Sequence, residues 1–167
     1  FRELTQHFNS NSVEIIIIDD GSTDTSSKII NEFKINQDYK FSLNVIKLDI
    51  NSGKGKAIQT GLKNSKGEYV LLQDADLELD TKDSFEMYQM IKNESEVKCI
   101  FGSRYQSGKL KKNNNLLNTF LVKINTFIFN IFFSQSLSDL HCGLKVFHRD
   151  VANKIKLTVN DFGIEID

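Results

Sequence analysis

The chain reads as an α/β domain on a mostly parallel sheet with helices on both faces, and three observations predict it. Val13-Glu14-Ile15-Ile16-Ile17-Ile18 and Tyr69-Val70-Leu71-Leu72-Gln73 are short apolar runs closed by acidic residues, the pattern of strands buried on both faces. Around them, strand-like and helix-like stretches alternate with no internal repeat and no linker long enough to divide the chain. The 167 residues, 40% apolar and 26% charged, suffice for one core, so 1–167 is read as a single domain.

The first run is a strand that ends at Asp19-Asp20 and turns through Gly21. Ser22 or Thr23 then caps a helix to about Asn36, with Ile29, Ile30 and Phe33 on its inner face. A strand near Leu43 to Leu48 follows, then the turn Asn51-Ser52-Gly53 and a helix from about Lys56 to Asn64 stopped by Gly67. The Tyr69 to Gln73 strand completes a βαβαβ rhythm and delivers Asp74-Ala75-Asp76. Thr81 or Asp83 caps a helix to about Asn93, Val97 to Phe101 is a strand, and Gly108 to Asn115 is a mobile polar loop.

From Leu116 to Phe133 the chain is nearly apolar, yet Thr119, Lys123, Thr126 and Asn130 recur at spacings that put them on one helical face. A membrane span needs about 20 mostly apolar residues, so this shorter, more polar stretch is an amphipathic helix. Two placements stay open. Its apolar side can pack in the core, or Phe120, Leu121, Ile124, Phe127, Ile128, Ile131 and Phe132 can lie against a bilayer or a lipid substrate.

Chemistry concentrates at the strand ends, where ligands of open α/β sheets bind. On an extended backbone residues i and i+2 point the same way, so Asp74 and Asp76 can face one divalent cation; an acidic turn that merely stops a strand is the alternative. Two acidic strand ends suggest one shared crevice. Gly53-Lys54-Gly55-Lys56-Ala57 lacks the spacing of a P-loop and the third glycine of the dinucleotide fingerprint. What remains is a basic turn at a helix start, able to meet a diphosphate or simply to be solvated.

The formal net charge of −1 supplies no basic field for nucleic acid. Cys99 and Cys142 form neither a disulfide framework nor a metal motif, so each reads as a buried reduced thiol in a reducing compartment. His141 and His148 read as incidental polar residues. The chain has no proline, for which the sequence offers no functional account.

Six segments in order, Ile18-Asp19-Asp20-Gly21-Ser22-Thr23-Asp24, Asn51-Ser52-Gly53-Lys54-Gly55-Lys56-Ala57, Gln73-Asp74-Ala75-Asp76-Leu77-Glu78, Phe101-Gly102-Ser103-Arg104, Ser138-Asp139-Leu140-His141-Cys142-Gly143-Leu144-Lys145-Val146-Phe147 and Asn160-Asp161-Phe162-Gly163-Ile164-Glu165, carry a resemblance. Together they resemble the family 2 glycosyltransferases of GT-A fold, a Rossmann-like nucleotide-diphospho-sugar transferase architecture, and among them the dolichyl-phosphate and polyprenyl-phosphate hexosyltransferases. The resemblance implies a UDP- or GDP-hexose donor, Mg²⁺ or Mn²⁺, and inverting transfer to a lipid phosphate at the cytoplasmic face of a membrane, with peripheral membrane contact. It implies Asp74, Asp76 and Glu78 on the metal, and Asp19, Asp20, Gly21 and Ser22 on the base and ribose. Gly53, Lys54, Gly55 and Lys56 would lie at the diphosphate with Asp74, and Arg104 on the acceptor phosphate. Asp139 would orient the acceptor or act as base for a hydroxyl acceptor, and Glu165 would close the acceptor side.

Relative to that family the first strand is expected to precede the helix that Phe1 to Phe8 begins, and the C-terminal portion to follow Glu165, so the chain reads as a fragment of a catalytic domain. Transfer to a sugar hydroxyl in polysaccharide or glycolipid synthesis is the sister alternative. A sugar-1-phosphate nucleotidyltransferase and a non-catalytic nucleotide-binding fragment are two more. The sugar, the nucleotide and the oligomeric state are not legible.

Overall fold

The computed structural model describes residues 7–8, 13–35, 41–75, 79–105 and 116–155. The chain divides into two compact units, one running to Val70 and resuming at Arg149, the other Leu71–His148.

In the first unit β1 (Glu14–Asp19) and β2 (Ser42–Lys47) pair in parallel, from Glu14 opposite Ser42 to Asp19 opposite Lys47. Helix α1 (Ser26–Ile35) joins them and packs on β2, while α2 (Lys54–Asn64) packs on β1, bringing Gly61 against Ile18. The isoleucines of β1 are half-buried rather than buried on both faces; among the described residues β2 is its only hydrogen-bonded neighbour.

Several local expectations are corrected. Neither Ser22 nor Thr23 caps α1: the helix starts later, at Ser26, and its first amide, Ser26 N, donates to Asp24 Oδ1 at 2.9 Å. Ile29 is 60% exposed while Ile30 and Phe33 are half-buried. Adjacent helical residues stand about 100° apart, so Ile29 and Ile30 cannot both lie at the centre of one face. Helix α2 starts two residues early, at Lys54. It ends at Ser65, whose N–H donates to Leu62 O, and not at Gly67, whose N–H goes to Glu14 Oε1 at 2.8 Å. Arg149 fixes the entry to the next strand by donating from Nε to Gly67 O at 2.7 Å and from Nη1 to Ser65 Oγ at 3.0 Å.

Strand β3 (Tyr69–Gln73) leads from the first unit into the second. There α3 (Thr81–Asn93) is followed by β4 (Cys99–Phe101), α4 (Leu116–Phe133), β5 (Leu144–His148) and the short α5 (Arg149–Ala152), which returns to the first unit. The cap of α3 is Asp80, accepting from Lys82 N at 2.9 Å, rather than Thr81 or Asp83. Strand β4 is shorter than expected, because Val97 N closes a turn on Glu94 O.

Strand β5 was not anticipated. It lies between β3 and β4 and runs antiparallel to β4, with Ile100 opposite Val146. Leu144 and Val146 alternate into the core, as a strand allows, and Phe147 is buried beside them. Met87 and Ile91 of α3 complete that core.

Helix α4 decides against one of the two placements left open by its sequence. The core-packed placement is overturned: Phe127 and Phe132 are 65% and 78% exposed, with Leu117, Phe120, Leu121, Ile124, Ile128 and Ile131 also open. Of the polar face, Thr126 and Asn130 turn inward while Lys123 is exposed. Thr126, 4% exposed, accepts from Leu140 N at 3.2 Å and donates to Val122 O. Asn130 both donates to Leu137 O at 2.8 Å and accepts from Leu137 N at 3.0 Å.

Candidate active site

The acidic turn of the first unit is organised by its own backbone. Gly21 sits at φ 67°, and a Cβ there would lie 2.5 Å from Asn51 N, so only glycine lets the two loops touch. Asp19 is buried; Ser22 N donates to its Oδ1 at 2.9 Å and Ser27 Oγ to its Oδ2. Hydrogen bonds from Ser22 and Ser27 hold its carboxyl below the usual range, outweighing burial, with Lys47 adding a smaller pull. Lys47 Nζ itself donates to Ser27 Oγ at 2.8 Å.

Asp20 reaches across to the second loop, where its two oxygens accept from Ser52 N and Gly53 N, each at 2.8 Å. A carboxylate so placed complements the positive end of α2. Asp19, Asp20, Gly21 and Ser22 are thus joined to Gly53, Lys54, Gly55 and Lys56, with Lys54 and Lys56 in the first turn of α2. The sequence singled out both halves of this cluster but not the bonds from Asp20 that join them.

In the second unit, Asp74 leaves β3 half-buried, and its N–H donates to Gly143 O at 3.1 Å. The residue before it is fixed by Ser84, fully buried, donating to Gln73 Oε1 at 2.9 Å. Asp76, Glu78 and Glu165 lie outside the described residues, as do the 108–115 loop and the 160–165 motif. Among the described residues no three acidic, histidine or cysteine side chains form a metal cluster.

Arg104 and Asp139 are brought together as a two-pronged ion pair, Nε to Oδ2 at 2.8 Å and Nη2 to Oδ1 at 3.0 Å. The backbone N–H groups of Arg104 and His141 add two bonds at 3.2 Å. Asp139 is 1% exposed, and its four acceptor sites are all taken. Its hydrogen bonds push the Arg104 guanidinium further above its usual range. Lys123 of α4 and Arg104 both lie over the ring of Tyr105, at 5.6 and 5.8 Å.

Two residues of this unit have partners that the sequence reading did not give. Asn130 and Thr126 hold the 137–140 loop that carries Asp139, a role no spacing announces. The Nε2 of His141 is buried and has no hydrogen-bond partner among the described residues. Cys142 is buried, as expected, but Cys99 is only half-buried. Both are free, and burial pushes the Cys99 thiol up to about 11 and raises that of Cys142.

Residues 2–156 match the model of glycosyl transferase family 2. The dolichyl-phosphate β-glucosyltransferase of Dictyostelium discoideum is 33% identical over 89% of the chain and 46% of that protein. The poly-β-1,6-N-acetyl-D-glucosamine synthase of Staphylococcus epidermidis is 31% identical over 92% of the chain and 40% of that protein. Among solved structures, the mannosyltransferase PcManGT from Pyrobaculum calidifontis, in complex with GDP-Man and Mn²⁺, superposes with a TM-score of 0.63 at 15% identity. That match covers 98% of the chain and 45% of its own. The chain spans about half the length of the curated relatives it matches.

Proposed function

The chain belongs to glycosyltransferase family 2 and has the GT-A fold; from that premise we propose that it is part of an enzyme moving a hexose from UDP- or GDP-hexose to a polyprenyl or dolichyl phosphate. The observation that carries the acceptor class is α4, whose apolar face stays open while its polar face holds the loop that grips Arg104. A lipid acceptor needs both: hydrocarbon contact and a cation for its phosphate. Among the described residues no helix is long and apolar enough to cross a membrane; in this reading α4 lies on the membrane surface, at the cytoplasmic face that the family resemblance implies.

Asp74 offers a carboxylate oxygen at a strand exit, the hard donor that suits a hard divalent cation. Asp74, with Asp76 and Glu78, would hold Mg²⁺ or Mn²⁺, which supplies charge neutralisation for the leaving diphosphate.

The chain's own groups do the rest. Asp19 and Asp20 shape the turn that receives the nucleoside, and Lys54 and Lys56 meet the diphosphate at the start of α2, where amide dipoles favour anions. A phosphate monoester loses its second proton near ~6, so the acceptor is an anionic nucleophile at neutral pH without a base. Its oxygen bonds to the anomeric carbon as the bond from that carbon to the diphosphate breaks, the diphosphate leaving with the electron pair. Asp139, saturated by Arg104 and two amides, acts here by orienting the guanidinium.

A second reading, transfer to a sugar hydroxyl, is favoured by the N-acetylglucosamine polymer synthase relative. It requires Asp139 to leave Arg104 and take a proton. Incubating the full-length protein with labelled UDP-glucose or GDP-mannose and polyprenyl phosphate, with and without Mn²⁺, separates the two. Metal-dependent label in lipid supports transfer to lipid phosphate; label only in carbohydrate rejects it.

A further inference from the structure

Gly143 stands where any side chain would collide with the proposed metal-binding carboxylate. A Cβ built on Gly143 falls 2.1 Å from Asp74 Oδ2, 2.5 Å from its Cγ and 3.0 Å from its Cβ. Real Cβ contacts essentially never fall below 3.0 Å, so the carboxylate would have to retreat by about 0.9 Å. Backbone conformation does not explain the glycine: the positive-φ glycines among the described residues are Gly21 and Gly53. Space does.

The strand end cannot simply shift to make room. Asp74 N is bonded to Gly143 O, and the preceding Gln73 is tied to buried Ser84. On the other side, β5 begins at Leu144, a core residue 3% exposed. Gly102 packs against the same loop, where an added Cβ would lie 3.0 Å from Cys142 Sγ. Both backbones are anchored, so the side chain of Asp74 is the part that must move.

We propose that Gly143 is a positioning residue for Asp74: the absent side chain leaves the space in which the carboxylate stands, while the Gly143 carbonyl fixes the strand end by accepting from the Asp74 backbone N–H. Protein ligands to Mg²⁺ or Mn²⁺ must sit within about 0.2 Å of their ideal distance. A displacement several times that tolerance removes the ligand. The inference rests on the proposed reading of Asp74 as a metal ligand.

The test uses the full-length protein with UDP or GDP, whichever retains Mn²⁺ in the unaltered protein, and follows free Mn²⁺ by its electron paramagnetic resonance signal. Asp74→Ala is expected to weaken Mn²⁺ binding at least tenfold, and Gly143→Ala to do the same. If Asp74→Ala binds Mn²⁺ normally, the metal reading of Asp74 falls and takes this inference with it. If Asp74→Ala weakens binding but Gly143→Ala stays within twofold of the unaltered protein, only the inference is overturned.

Melting temperatures of the double variant read the steric half separately. Gly143→Ala should cost less than half as much in the Asp74→Ala background as alone, and an equal cost in both backgrounds overturns the clash. Should Gly143→Ala alone fail to fold, a folded Asp74→Ala/Gly143→Ala protein supports the proposal, and an unfolded one rejects it.

Discussion

Helices α3 and α4 belong to the same unit and face opposite ways. Helix α3 buries Met87 and Ile91 and turns Lys82 and Glu86 to solvent. Helix α4 buries Thr126, half-buries Asn130 and presents Phe127 and Phe132 outward. Amphipathicity says that a helix has two sides; which side faces inward depends on what the protein offers there. Residues 137–140 offer α4 two amide donors and a carbonyl, and leaving such groups unpaired costs more than leaving a phenyl ring wet.

The contrast breaks first at α3. Ile91→Ala should destabilise the protein by about 2–5 kcal/mol, the cost of emptying a buried site, read by chemical denaturation. A loss under 1 kcal/mol would mean that α3 is not the apolar anchor. On α4 the anchor is polar, so Thr126→Val, nearly the same shape, should cost about 1–3 kcal/mol through the stranded Leu140 amide. A neutral result would remove the reason for the helix's orientation.

Asp19 extends the comparison to a polar tie in the other unit. Its carboxyl is held below 3.8 in the folded protein, so its stabilisation is fully present above the unfolded value and fades as pH falls through the folded one. The melting-temperature gap between the unaltered protein and Asp19→Asn should therefore be constant above about pH 5 and narrow in stronger acid. A gap that widens on acidification would contradict the assignment. The smallest change in stability is expected for Phe132→Asp, within about 0.5 kcal/mol. Yet that variant should lose most of its affinity for vesicles containing polyprenyl phosphate, measured by co-sedimentation, and unchanged vesicle binding would leave the apolar face without a lipid role.

What was legible in the sequence followed from local periodicity. The rhythm through β3 could be read because four isoleucines, the Asn51-Ser52-Gly53 turn and the Tyr69 to Gln73 run each carry their own signal. Strand β5 could not, because five residues inside a polar motif become a strand only when β3 and β4 flank them. The acidic residues of the site were visible, but not their partners: Asp20 finds amides some thirty residues on, and the Asp74 amide finds a carbonyl in the loop before β5. Ile29 shows the same limit in miniature, since both it and Ile30 are apolar and only packing decides between them.

The bonds from Asn130 and Thr126 to Leu137 and Leu140 run on, through Asp139, to the guanidinium of Arg104. Tilting or sinking α4 would therefore be transmitted along a short mechanical linkage to a fixed positive charge. Under the proposed transfer to a lipid phosphate, the depth at which α4 meets hydrocarbon would then become one of the variables that set readiness to react.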